Sequence, residues 1–197
     1  MVSDPDLHTR WLNTLSMMEN TGARKIAAAE DRVRVDLLML KHAAEEARHA
    51  YYLKKQIGKL DASACPTYEA DYLLAPVDSH AYLNRLDVRV CRYLKQALQL
   101  DGPALKYAAY LLVTYAIEVR ADALYPVYQD ALNSAGSRVQ VKSIIVEEEG
   151  HLAEMLRQME TFFGDWQPHA ERAVAIETDL FNGWIQGVEQ AVTAVSC

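Results

Sequence analysis

Apolar residues recur three and four positions apart along most of the chain, and glycine and proline gather where that spacing breaks off. Such a pattern belongs to helices that bury one face, and it predicts six of them. The first covers about 5–28, with Asp4 as its cap and Pro5 at the tolerated first position. The second covers about 33–59, and an irregular stretch, 61–78, contains Pro66 and Pro76. The third is expected at about 79–100, ending before Asp101-Gly102. The fourth spans about 103–132, with Pro126 expected to kink it. Asn133-Ser134-Ala135-Gly136 reads as a turn; the fifth helix follows at about 137–163, closed by Gly164, and the sixth at about 169–195.

Helices one and two, and helices four and five, form two long hairpins. Helix three, about 30 Å long at 1.5 Å per residue, can carry the chain back to the far end. Helices two and four then run parallel, as an all-α four-helix bundle with one crossover requires. Helices three and six are additions, the sixth covering an apolar flank or pairing with a second copy. A chain of 197 residues suits one domain.

Charge and thiols narrow the setting. A net charge of −7 argues against a nucleic-acid partner, since phosphates call for a basic surface. No apolar run is long enough to cross a bilayer, and the opening residues lack a signal pattern. A cytoplasmic protein without a membrane partner is therefore expected. Cys65, Cys91 and Cys197 share no metal-type spacing and read as idle or buried thiols.

The core-facing stripes hold residues foreign to a core. Helix one reads Leu12, Leu15, Glu19, Gly22, Ile26, and Glu19 is the only carboxylate between Leu7 and Ala29. Helix two reads Val35, Leu38, His42, Glu46, His49, Leu53. In helix four, Glu118 is the single charge from Tyr107 to Val119. Helix five reads Val141, Ile144, Ile145, Glu148, His151, Leu152, Met155, Met159. An isolated ionised carboxylate in such surroundings costs several kcal/mol. Four glutamates and two divalent cations cancel, and oxygen with imidazole nitrogen suits iron or manganese, while the absence of thiolates disfavours structural zinc.

Spacing adds to this. Glu46-Ala-Arg-His49 and Glu148-Glu-Gly-His151 are both Glu-x-x-His, with both side chains on one helical face. Glu19 precedes Glu46 by 27 residues and Glu118 precedes Glu148 by 30. The midpoints fall near Val33 and Ser134, where the hairpins turn, so each pair meets at similar depth. The plain alternative, six surface or salt-bridged residues, requires all four stripes to be misassigned.

One Glu on each of two helices with Glu-x-x-His on each of the other two resembles the ferritin-like di-iron carboxylate superfamily. The resemblance covers about residues 5–60 and 103–163. The stretch Leu12-Asn-Thr-Leu-Ser with Gly22-Ala-Arg-Lys-Ile26 is similar to bacterial members without an assigned reaction. It implies two iron ions, with manganese as the alternative, Glu19 and Glu118 as single-helix ligands, Glu46 and Glu148 as bridges, and His49 and His151 as terminal ligands. Helices three and six depart from a plain storage ferritin, which sets cage assembly in doubt.

His42 reads as a hydrogen-bonded neighbour or core histidine rather than a third imidazole ligand, and Asp122 as an exposed partner of Arg120 or another base. Tyr52 and Tyr115 are expected in packing roles, with an approach to the metals as the alternative. Glu45, Glu147 and Glu149 are expected to face solvent; His8, His80 and His169 have no role. Leu12, Leu15, Met39, Leu112, Ile145 and Met155 are expected to wall a dry pocket. The leading functional expectation is a di-iron oxidoreductase that activates dioxygen to oxidise or hydroxylate a small organic substrate, with a separate electron donor and a homodimeric assembly. The alternatives are an iron-handling protein that oxidises ferrous ion for storage or detoxification, and a peroxide scavenger.

Overall fold

The computed structural model describes residues 1–195, apart from the side chains of Glu149 and Val195. Cys197 therefore lies outside the described residues. Six α-helices follow one another, α1 (Pro5–Ala29), α2 (Leu37–Ile57), α3 (Pro76–Leu98), α4 (Gly102–Ser134), α5 (Lys142–Phe163) and α6 (Gln167–Val195), with a short 3-10 turn at Ala70–Tyr72. No strand occurs among the described residues, and no helix is long and apolar enough to cross a membrane.

The ends follow their caps. The Asp4 carboxylate accepts from the Leu7 amide and opens α1, with Pro5 in its first turn. Helix α2 starts four residues later than expected because Asp36 is its cap, accepting from Leu38 and Met39. Asp31 instead holds a turn through the amides of Val33 and Arg34. Val33 and Val35 are thereby left exposed, and Val35 falls outside the buried stripe predicted for it. Helix α5 also starts late. Two side-chain amides from other helices occupy the backbone of the preceding segment: Gln129 accepts from Val141, and Gln56 from Gln140. Pro126 sits inside α4 without ending it.

Side-chain contacts give the directions. Ser16 of α1 bonds the carbonyl of Ala50 on α2. Lys41 and Arg48 of α2 pair with Glu154 and Glu147 of α5, and Gln129 of α4 reaches Gln140 just before α5. Each of these neighbours is antiparallel, and so are α1 and α4, which makes α2 and α4 parallel. Helix α6 lies on α3 and α4. Its Trp184 ring sits 5.8 Å from both Trp11 and Tyr82, and its indole N–H donates to Ser79.

The core is split into two apolar clusters. One gathers Leu7, Trp11, Leu12, Leu53, Tyr128, Leu132, Val141 and Ile144; the other gathers Ile26, Met39, Leu86, Leu111, Leu112, Met155 and Met159. Each fully buried leucine among them contributes about 1.5–3 kcal/mol. Helices α1, α2, α4 and α5 contribute to both clusters, and on each of them the change-over falls at Glu19, Glu46 and His49, Glu118, or Glu148 and His151. The polar residues thus occupy the waist of the molecule, walled above and below by hydrocarbon.

Candidate metal centre

All six candidate residues come together at that waist. Glu46, Glu118, Glu148 and His151 offer ligand atoms within 4.8 Å of one another, and so do Glu19, Glu46 and His49. Glu46 belongs to both groups. Glu148 lies between the imidazoles, with one oxygen 3.1 Å from His49 Nδ1 and the other 3.3 Å from His151 Nδ1. Glu118 Oε1 is 3.4 Å from His151 Nδ1. Five of the six are almost fully buried, while Glu19 is half-buried.

The histidines are aimed by carboxylates behind them. His49 Nε2 donates to Glu147 at 2.8 Å, and His151 Nε2 donates to Glu45 at 2.7 Å. With the proton on Nε2, each Nδ1 turns a lone pair inward. The expectation that Glu45 and Glu147 face solvent is therefore overturned: both are partly covered and reach across the α2–α5 contact, each to the other helix's histidine. The Glu149 side chain lies outside the described residues.

Four atoms here have no hydrogen-bond partner although buried: His49 Nδ1, His151 Nδ1, Glu118 Oε1 and Glu148 Oε2. Buried polar atoms are almost always satisfied. Four orphans converging on one space, two carboxylate oxygens and two imidazole nitrogens that offer lone pairs once their protons leave, match what a cation requires. These buried Glu and His groups could hold a metal ion, and oxygen with imidazole nitrogen suits a first-row metal.

Without an ion, protons must absorb the repulsion. Burial, then the neighbouring carboxylates, hold Glu46 well above the ordinary carboxylate range, and burial with Glu148 does the same to Glu118. Burial also opposes the charge on Glu148, but the Glu118 carboxyl and both histidines outweigh it and keep Glu148 low. The His151 ring loses to burial yet is pushed up to about 11 by Glu118 and Glu148. The same conflict, settled the same way, raises His49. Neutral and charged groups are thus forced apart within one cluster, a sign of functional sites.

Compared with protein families, with curated proteins and with solved structures, the chain has no match. The chemistry of the site rests on its own geometry.

Two tyrosines close to the cluster escaped the sequence reading. Tyr125 of α4 is buried and donates a short hydrogen bond to Glu19. Burial and the Glu19 charge hold its hydroxyl well above the usual range, so it keeps its proton. Tyr110 bonds His42 Nδ1 at 3.0 Å, and His42 Nε2 reaches Glu154 at 3.0 Å. His42 is accordingly a hydrogen-bonded neighbour, its ring 4.9 Å from that of His151. Tyr52 instead donates to the Gln140 carbonyl, and Tyr115 packs on Trp166. Asp122 is exposed, and Arg120 pairs with the buried Glu177.

A cavity of about 410 Å³ opens beside the cluster between α1, α3 and α4, touching Glu19, Glu46 and Glu118. Of the predicted wall residues only Leu15 lines it; Leu12, Leu112 and Met155 are packed solid. The histidines stand on the opposite side, on α2 and α5.

Proposed function

We propose that this protein is a di-iron oxidoreductase of ferritin-like architecture that activates dioxygen to oxidise or hydroxylate an organic substrate. The observation that carries the reading is the set of four unpartnered ligand atoms next to a cavity whose inner end is made of Glu19, Glu46 and Glu118. Two iron ions bound there supply the redox chemistry that side chains lack. One ion would be held by Glu19, Glu46 and His49, and the other by Glu46, Glu118, Glu148 and His151. Glu148, with an oxygen toward each histidine, would join Glu46 in spanning both.

The chain's own groups support this chemistry. Glu45 and Glu147 fix the imidazoles, Tyr125 holds Glu19, and the two apolar clusters cover the waist above and below. Hydroxylation of a C–H bond puts one oxygen atom into product and the other into water, consuming two protons and two electrons. The chain has no cysteine cluster for an electron carrier, so a separate reductase would supply the electrons. The apolar cavity favours an organic substrate over iron storage, which needs a polar path for ions. Assembly as a homodimer completes the proposal.

Elemental analysis of protein from iron-supplemented cells tests it. About two irons per chain are expected, with a weak near-ultraviolet charge-transfer band after anaerobic ferrous loading and exposure to air. Glu148→Ala should abolish the band. An unaltered band and metal content in that variant would remove Glu148 from the site.

A further inference from the structure

The metal reading leaves the cavity unexplained, and its wall indicates what enters. On α1 the lining runs from Glu19 through Gly22 and Ile26 to Ala29 at the surface. Ten residues of helix make that path about 15 Å long. Facing it on α4 are Ala109 and Val113, which lead from the exposed Gly102 end down to Glu118. Helix α3 closes the third side.

Gly22 has a cost and no steric need. A glycine inside a helix is less stable than alanine by roughly 0.5–1 kcal/mol. A Cβ built on Gly22 would meet nothing within 4 Å. No close packing demands the glycine, and its effect is to leave room one turn from Glu19. The inner end is formed by Glu19, Glu46 and Glu118, the last only 2% exposed.

Apart from the glutamates at the inner end and Lys106, which is exposed near the Gly102 rim, the charged groups along the wall are neutralised in pairs. Lys25 of α1 meets Asp87 of α3 at 2.8 Å. Arg120 binds Glu177 through two hydrogen bonds of 2.9 Å, and Tyr82 donates to the same carboxylate. Between rim and carboxylates the surface is mostly hydrocarbon, and a charged group entering it would give up its hydration.

We infer that this cavity is the substrate pocket and that it takes a neutral, elongated, apolar organic molecule, entering at the Ala29–Gly102 rim and ending beside Glu19 and Glu118. The inference rests on the dinuclear reading for its chemistry, but the pocket itself is present without metal. Its dimensions fall in the range of small-molecule sites, about 300–1,000 Å³.

Equilibrium dialysis of metal-free protein against labelled 1-decanol tests it, with 1,10-decanedioate as the charged comparison. One decanol per chain is expected, and decanedioate should bind at least tenfold more weakly because one of its carboxylates would have to leave water for the apolar wall. Gly22→Leu and Val113→Phe should each weaken decanol binding at least tenfold while elemental analysis shows unchanged metal content. Decanol binding unaltered in both variants, or decanedioate binding as tightly as decanol, would overturn the assignment. Decanol binding by protein that takes no metal would leave the pocket and remove the dinuclear centre. Two metals per chain with no decanol binding would do the reverse.

Discussion

Glu45 on α2 accepts a hydrogen bond from Nε2 of His151 on α5 at 2.7 Å. Glu147 on α5 returns the arrangement to His49 on α2. Each Glu-Glu-x-x-His segment therefore supplies ligand atoms from its own helix and an orienting carboxylate to the other, so α2 and α5 must dock in register for either imidazole to point inward.

This exchange predicts the effect of Glu45→Ala and Glu147→Ala. Neither carboxylate touches the space between the ligands, yet each variant frees one imidazole to rotate and to change tautomer. Loss of such an outer partner typically weakens a metal site by about 10–100-fold. Competitive titration with a chelator should show that loss. Circular dichroism should stay native, because both side chains are partly exposed, and Gln in place of Glu should recover part of the affinity.

How much of this was legible follows from where each signal resides. A carboxylate on an apolar face interrupts a spacing of three and four, so Glu19, Glu46, Glu118 and Glu148 stand out within their own helices. Glu45 and Glu147 do not. The residue before a ligand points about 100° away around the helix, toward what looks like solvent, and only the partner helix gives it something to hold. Tyr125 was hidden for the same reason: its partner is on α1, not α4. The late start of α5 depends on Gln56 and Gln129, distant side chains that occupy the amides of Gln140 and Val141. The cavity depends on where α3 lies, which no periodicity specifies.

Tyr125→Phe removes the hydrogen bond that the Tyr125 hydroxyl donates to Glu19. A hydrogen bond to a charged group contributes about 1.5–3 kcal/mol. The ion held with Glu46 and His49 should bind roughly tenfold or more weakly, and the one near Glu118 should be little affected. Stepwise cobalt titration followed by visible absorption should separate the two events; equal weakening of both would contradict this placement of Tyr125.

The metal-free protein should lose stability as pH rises, in part through Glu46. Burial and the neighbouring glutamates raise its folded pKa above the unfolded value. The folded state then binds the proton more tightly, so this contribution is complete below about pH 4 and is lost as pH climbs toward the raised value. Glu46→Gln keeps the shape and removes the titration. Thermal melts of metal-free protein at pH 8 should find the variant more stable, with the gap closing as pH falls toward the ordinary carboxylate range. Saturating metal should invert the order, since binding to the folded state stabilises by about 4 kcal/mol at a thousandfold excess over Kd.

His8 acts in the opposite sense at the other end of the molecule. It is fully buried, its Nε2 shares a hydrogen bond of 2.7 Å with the Tyr128 hydroxyl, and its Nδ1 has no partner. Burial, helped by the nearby amino terminus, lowers its pKa to about 4. The unfolded chain protonates this ring near pH 6.5 while the folded one resists. Stability from the neutral ring is therefore intact above about pH 6.5, falls as pH drops from there to about 4, and declines no further below that. Between pH 7 and 4.5 the loss is about 2 kcal/mol. His8→Gln retains an acceptor for Tyr128 and cannot be protonated, so its urea midpoint should drop less over that interval. Equal drops in wild type and variant would show that His8 is charged in the folded protein and that acid acts elsewhere.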